Sequence, residues 1–238
     1  MNTQLTHLAL ILDGNRRWAK QHGLTEAGVY KRAGGNIGDI LETAFELGVQ
    51  CVSLWVGSYA NLANRSPVLV KALDKVYGDK FKELLAHPSV AKKQVKIEVI
   101  GEWRDLLSKA TKAAAEKAIQ ATAHHAGPKL VMLIGYDGTR ERGAAVQSLL
   151  KDPVTAPGDP MEAEALLRRH SWSGHLPNVD LIIRTGVWQD PHNSAGFYGF
   201  LTSEAQYSFP PVLWPDFTPA MLQSICQNFL GRERRFGT

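Results

Sequence analysis

The chain has 238 residues, of which 44% are apolar and 21% charged, a balance that suits a globular fold with a substantial core and excludes a disordered chain. Its formal net charge of +4 is a mild excess; it suits anionic small molecules, a membrane surface or nucleic acid, and selects none of them. No apolar run reaches the roughly 20 residues that span a bilayer, no basic-then-apolar leader opens the chain, and the two isolated cysteines, Cys51 and Cys226, read as reduced thiols, so a cytoplasmic protein is expected.

Apolar runs of strand length alternate with helical stretches along the chain. Residues 8–12 predict the first strand. Over 31–47, Ile37, Ile40, Leu41, Ala44 and Phe45 recur at helical spacing, and Gly48 closes that helix. Residues 51–56 predict the second strand. Ser66-Pro67 opens a helix to about residue 86, with the proline suited to a first turn. Residues 95–100 are the third strand, 104–125 a helix rich in Ala, Lys and Glu, 129–134 the fourth strand and 139–150 a helix. Three prolines and a glycine make 151–160 a loop. A short helix over 161–170, a fifth strand over 179–183 and a last helix over 220–230 follow. This order predicts an α/β fold. One domain covers 1–238, with a mostly parallel central sheet of about six strands flanked by helices.

Ligands of such sheets bind at the carboxyl ends of the strands. The segments there are Asp13-Gly14-Asn15-Arg16-Arg17-Trp18, Gly57-Ser58-Tyr59-Ala60-Asn61, Gly101-Glu102-Trp103, Tyr136-Asp137-Gly138 and Arg184-Thr185-Gly186. All are polar, and they converge on one rim. Gly14 lets a ligand approach the backbone closely, and Asn15, Arg16 and Arg17 follow as donors. Arg65 and Arg184 lie at the ends of two other units. Arginine suits phosphate oxygens because it is always charged and donates in a fork. Several arginines beside one acid point to a polyanion with a divalent metal, since Mg²⁺ binds through one or two carboxylates together with substrate phosphates. A diphosphate meets these demands. The bland alternative is a solvated Arg16–Arg17 pair and Asp13 as a helix cap or ion-pair partner.

Other chemistries lack their signatures. There is no GxxxxGK[ST], no GxGxxG after a strand and no GxSxG. The adjacent His124 and His125 do not share a helix face. The basic C-terminal run lacks interleaved aromatics beyond Phe236, so nucleic acid is not an expected partner.

The stretch from His7 to Ala19, with Asp13-Gly14-Asn15-Arg16-Arg17-Trp18 inside it, resembles the first signature of the cis-prenyltransferases, the family of undecaprenyl diphosphate synthase. Val179-Asp-Leu-Ile-Ile-Arg-Thr-Gly186 is similar to a second, and Val212-Leu-Trp-Pro-Asp-Phe217 and Arg232-Glu-Arg-Arg-Phe-Gly237 to the family's C-terminal end. The resemblance implies condensation of isopentenyl diphosphate with an allylic prenyl diphosphate. It also implies Mg²⁺ and a homodimer, and a peripheral membrane contact fits the mild basic charge. It implies that Asp13 holds Mg²⁺ and aids ionisation, and that Gly14, Asn15, Arg16 and Arg17 cradle the allylic diphosphate. It further implies that Trp18 packs near the substrate. Ser58 and Asn61 match the second-strand signature, whose asparagine handles a proton. Arg65 matches its arginine after one inserted residue, and Arg184 holds the isopentenyl diphosphate. Arg235 and Gly237 match a C-terminal Arg-Xaa-Gly that reaches the partner subunit's site. The resemblance also implies an apolar tunnel that holds the growing chain.

The chain also departs from the family. Ala60 stands where an acid precedes Asn61, Glu26 where a basic residue is usual, and Tyr30 or Lys31 where a histidine is usual, with Lys31 counted among the substrate-binding residues. After Arg184-Thr-Gly comes Val187-Trp-Gln-Asp-Pro-His-Asn-Ser-Ala195, without the usual glutamate and arginine. Gln206 aligns with a metal-binding glutamate, while Glu204 and Asp190 stand nearby out of register. These losses leave open an unusual reaction on prenyl diphosphates, by irregular coupling or cyclisation, or a non-catalytic partner subunit.

Overall fold

The computed structural model describes residues 4–152, 155 and 157–232. Six strands form one sheet: β1 (His7–Ile11), β2 (Cys51–Ser58), β3 (Lys96–Ile100), β4 (Lys129–Tyr136), β5 (Leu181–Arg184) and β6 (Gln206–Ser208), in the order β3-β4-β2-β1-β5-β6. Every neighbouring pair is parallel. The carboxyl ends therefore share one edge, as the alternation of strand and helix predicts.

Alternate residues of each strand face opposite sides, and both sides are covered. Leu8, Leu10, Val52, Leu54, Leu130, Met132 and Ile134 join the larger core, which takes in Ile40, Phe81, Trp103, Ala115, Trp214 and Phe229 from the helices. Ala9, Ile11, Val131, Leu133 and Ile182 join a smaller core built around Tyr136, Phe197, Tyr198 and Leu201. Burial on both faces is why these strands read as continuous apolar runs.

The helices are α1 (Asn15–Gln21), α2 (Glu26–Gly35), α3 (Ile37–Glu46), α4 (Tyr59–Asn64), α5 (Pro67–Ala86), α6 (Pro88–Lys92), α7 (Trp103–Leu106), α8 (Lys109–Ala121), α9 (Gly138–Leu149), α10 (Pro160–His170) and α11 (Pro219–Leu230), with a 3-10 turn at Trp214–Asp216. Side chains of Thr25, Ser58, Ser66, Ser108, Asp137, Asp159 and Thr218 cap helix starts.

Two predicted helices are each a pair. The helix expected over 31–47 starts earlier, at Glu26 behind its Thr25 cap, and breaks at Asn36. The Asn36 amide donates to the carbonyls of Pro215 (3.0 Å) and Phe217 (3.3 Å), tying the break to the 3-10 turn. The helix expected over 104–125 breaks at Leu107-Ser108, where Ser108 caps α8 and donates to Asp74 Oδ2 at 2.7 Å. In both places a long-range contact overrides an uninterrupted local pattern. The short elements α1, α4, α6 and β6 carry too few residues to show a period. No helix among the described residues is long and apolar enough to cross a membrane.

Candidate active site

Three adjacent strands end where the polar rim was expected. In register, Ile11 of β1 pairs with Trp55 of β2 and with Arg184 of β5. Asp13 follows β1 by two residues, Ser58 ends β2, and Arg184 ends β5. Between them opens a cleft of about 970 Å³.

Asp13 lies on its wall. Its Oδ2 accepts from Arg184 Nη2 at 3.0 Å, and its Oδ1 accepts the Gly14 N–H at 2.6 Å and lies 3.6 Å from Arg17 Nη2. Its carbonyl takes the Thr185 hydroxyl at 2.7 Å and the Trp214 N–H at 3.1 Å, which fixes the turn. Gly14 sits at φ 105°, and a Cβ there would lie 2.7 Å from Leu213 Cδ2, so glycine is required both by conformation and by space.

Arg184 is 7% exposed. Its Nη1 donates to the His192 carbonyl at 3.0 Å and to Ser194 Oγ at 2.7 Å, while its Nε has no partner. Buried polar atoms without partners are rare and concentrate at functional sites. Among the described residues there are three, Asn15 Oδ1, Trp55 Nε1 and Arg184 Nε, and all three belong to residues lining the cleft.

Arg16 and Arg17 are exposed on the first turn of α1. Arg65 reaches in from the link between α4 and α5 and donates to Tyr30 Oη at 2.8 Å. Burial, partly countered by the charge of Arg65, raises the Tyr30 phenol above its ordinary pKa, so it stays protonated. Ser58 Oγ accepts the Asn61 N–H at 3.1 Å, which caps α4 and holds Asn61 on the cleft wall. Lining the cleft are five Arg and Lys side chains (Arg16, Arg17, Lys20, Arg65, Arg184) against three carboxylates (Asp13, Glu26, Asp137). The excess of two positive charges suits a polyanion.

The structure thus brings together Asp13, Gly14, Asn15, Arg16, Arg17, Ser58, Asn61, Arg65 and Arg184. Trp18 is placed elsewhere. Its indole N–H bonds Asp216 Oδ2 at 2.7 Å and its ring stacks on His22 with centroids 3.8 Å apart, so it anchors α1 and does not line the cleft. Lys31 is exposed on α2 and is not in the lining either; Tyr30 is the one that faces in. Arg235 and Gly237 lie outside the described residues. Gln206 Oε1 accepts from Arg232 Nη1 at 2.7 Å.

Sequence reasoning did not single out His192 and Ser194 as partners of Arg184, or Tyr30 as partner of Arg65. The available signal was a run of polar residues after the fifth strand without helical or strand period. Its fold-back depends on Ala195 at φ 45° and Gly196 at φ 60°, which no spacing shows.

The comparisons agree with this geometry. A family profile described as putative undecaprenyl diphosphate synthase matches residues 11–237. The tritrans,polycis-undecaprenyl-diphosphate synthase (geranylgeranyl-diphosphate specific) of Pyrococcus horikoshii is 32% identical over 235 residues, covering 97% of this chain and 86% of that protein. The isoprenyl transferase of Thermus thermophilus is 31% identical over 236 residues, covering 97% and 88%. The solved lavandulyl diphosphate synthase of Lavandula x intermedia, in complex with dimethylallyl diphosphate, superposes with a TM-score of 0.86 at 25% identity over 98% of both chains. A probable undecaprenyl diphosphate synthase of Campylobacter jejuni shares the fold with a TM-score of 0.77, at 20% identity over 99% of this chain and 100% of that one. A profile match over almost the whole length, relatives named as prenyl-transferring enzymes and a shared fold place the chain in the undecaprenyl diphosphate synthase family, the cis-prenyltransferases, as an enzyme of prenyl transfer.

Proposed function

We propose that residues 1–238 act as one catalytic unit that ionises an allylic prenyl diphosphate in the cleft and joins the prenyl group to isopentenyl diphosphate, releasing diphosphate. The observation that carries this reading is the Asp13 carboxylate, fixed by Arg184 and Arg17, on the wall of a cleft with a cationic excess.

The chemistry follows from charge. When the allylic carbon–oxygen bond breaks, its electron pair leaves on the diphosphate oxygen and the carbon becomes an allylic cation. Arg16, Arg17, Arg65 and the backbone at Gly14 stabilise the leaving group, because preorganised charge costs little reorganisation at the moment of reaction. The alkene of the second substrate attacks the cation through its π electrons, and a proton leaves the adjacent carbon. Asn61, held by Ser58, assists that proton's departure. Arg184 reaches the second diphosphate from the β5 end. Tyr30, donated to by Arg65, separates the polar wall from the apolar interior.

Asp13 fits Mg²⁺ in the mode where a hard cation arrives with phosphate oxygens. Its side chain is 38% exposed and lines the cleft, and no group of three or more His, Cys, Asp or Glu among the described residues forms an all-protein cage. Bound there, Mg²⁺ supplies charge neutralisation for the departing diphosphate.

A second reading, coupling of two allylic diphosphates or cyclisation of one, is favoured by two observations. Residues 187–195 bring no arginine to the cleft, and Gln206 presents a neutral amide bonded to Arg232. The free, buried thiols of Cys51 and Cys226 support a cytoplasmic setting. Exposed Val146 and Leu150, one turn apart by α9, and Met161 on α10 support a homodimer. The basic charge supports a peripheral membrane contact.

The test is incubation of the full-length protein with Mg²⁺, isopentenyl diphosphate and allylic diphosphates. Consumption of both substrates with release of diphosphate is expected. Consumption of the allylic diphosphate alone selects the second reading, and consumption of neither refutes prenyl transfer.

A further inference from the structure

Asn61 carries the proton step in the cleft, yet the strand that delivers it is irregular at its end. The β2–β4 register shifts between Trp55 and Gly57 and again between Gly57 and Ser58. A ladder disrupted in this way fixes the residues beyond it less well than a regular one. The helix that follows, α4, has six residues, too few to hold its orientation unaided.

The hold comes from the loops after β3 and β4. Arg140, in the first turn of α9, lays its guanidinium over the ring of Tyr59, the first residue of α4, at 3.7 Å from the ring centroid. The same guanidinium forks onto Glu102: Nη2 donates to Oε1 at 2.7 Å, and Nε donates to Oε2. Both ends of this clamp are themselves held. Asp137 Oδ1 accepts the Arg140 N–H at 3.1 Å, and the Glu102 N–H donates to the Gly135 carbonyl at 3.2 Å. Gly101 sits at φ 116°, and a Cβ there would overlap the Ile134 carbonyl, so glycine lets Glu102 pass close over β4. An exposed ion pair stabilises a fold little, but a fork that also stacks on a ring fixes an orientation. Tyr59, Glu102 and Arg140 do not line the cleft, whereas Ser58, Ala60 and Asn61 do.

We propose that Arg140 is a positioning residue for the reaction: braced by Glu102, it clamps Tyr59 and so holds the Asn61 amide where the proton leaves. The inference rests on prenyl transfer in the cleft and on the part Asn61 plays in it. The first turn of α9 also reaches the opposite wall, where the Gly138 N–H donates to the Ala195 carbonyl at 2.8 Å, beside the Ser194 hydroxyl that accepts from Arg184. One turn of helix thus bears on both sides of the cleft.

The experiment measures diphosphate release by the full-length protein with Mg²⁺, isopentenyl diphosphate and allylic diphosphates, for Arg140→Ala, Asn61→Ala and the double variant, with thermal melts alongside. Arg140→Ala is expected to lower kcat about 10-fold, one decade being about 1.4 kcal/mol of transition-state free energy, with KM within about 2-fold of wild type. Tyr59→Leu, which removes the ring, should reproduce that loss, and Tyr59→Phe, which keeps it, should not. The double variant should be no slower than Asn61→Ala alone, because Arg140 acts through Asn61. Losses that multiply overturn the proposal, as does a wild-type kcat in Arg140→Ala. Arg104 is the control: it stacks on Trp103 at 4.0 Å and lies 3.7 Å from Glu116, away from the cleft lining. Arg104→Ala should leave kcat unchanged, and an equal fall there overturns the proposal by making the Arg140 effect a general loosening. Should Arg140→Ala fail to fold, the same cycle with Arg140→Lys, which keeps the charge without the flat fork, decides. Multiplying losses leave prenyl transfer standing, whereas a wild-type protein that releases no diphosphate sinks both.

Discussion

Asp13 has two jobs, and both depend on its negative charge. It is the carboxylate on the cleft wall, and it is the counter-charge of an arginine that is 7% exposed. Asp13→Asn keeps one oxygen, for either the Arg184 or the Gly14 donor, turns an NH2 toward the other and removes the anion. We expect turnover to fall by at least about 100-fold, the scale of losing one strong electrostatic contact in a reacting site. The thermal midpoint should fall as well, because the buried Arg184 loses its counter-charge, so the rates are compared at a temperature where the variant is still folded. Steady-state kinetics beside thermal melts check this, and wild-type rates would refute the role given to Asp13. Residues of this kind were legible in the sequence where chemistry sits in one short run: Asp13, Gly14, Arg16 and Arg17 all line the cleft. Trp18, one position on, points away because helix periodicity turns it toward Asp216. Tyr30, His192 and Ser194 needed the folded chain, since their partners lie elsewhere in sequence: Arg65 for Tyr30, and Arg184 for the other two.

Ser58 shows how an element positions a side chain it does not contain. It ends β2 and its hydroxyl caps α4, which sets Asn61 against the cleft. Ser58→Ala should cost about 1 kcal/mol of stability, the usual loss for a removed N-cap. A larger fall in kcat than in substrate affinity is expected, because Asn61 loses its fixed approach; denaturant melts and kcat/KM analysis separate the two. Ser58→Thr, which keeps the cap, should recover most of the rate. The long elements were legible locally, β1 to β5 as continuous apolar runs and α5 from its Ser66-Pro67 start. The breaks at Asn36 and Ser108 were not, because the contacts that cause them, to Pro215 and to Asp74, come from residues far along the chain.

Across the whole molecule, polar groups are threaded through the smaller core. His7 Nε2 meets Ser53 Oγ at 2.8 Å, Ser53 Oγ meets Tyr198 Oη at 2.8 Å, and His7 Nδ1 meets the Pro177 carbonyl at 2.8 Å. Burial pushes the His7 pKa from 6.5 down to about 4, so the folded protein keeps it neutral. Between those values the unfolded chain binds a proton that the folded chain refuses, and stability falls as pH drops through that window. The loss approaches about 3 kcal/mol by pH 4. Glu98, lowered to about 2 by its bond to His175, loses its contribution only below pH 4.5. Urea melts at pH 7 and pH 5 therefore isolate His7, and a His7→Gln variant should flatten the difference. The overall α/β order was legible because each strand and helix announces itself locally; the strand order was not, since it is written in pairings between distant segments. That order puts β1 between β2 and β5. Asp13 meets Arg184 across a separation of 171 residues. During synthesis, then, the growing polypeptide carries its key acid through 171 further residues without the guanidinium that balances it, and the reaction centre comes into being only when β5 threads in beside β1.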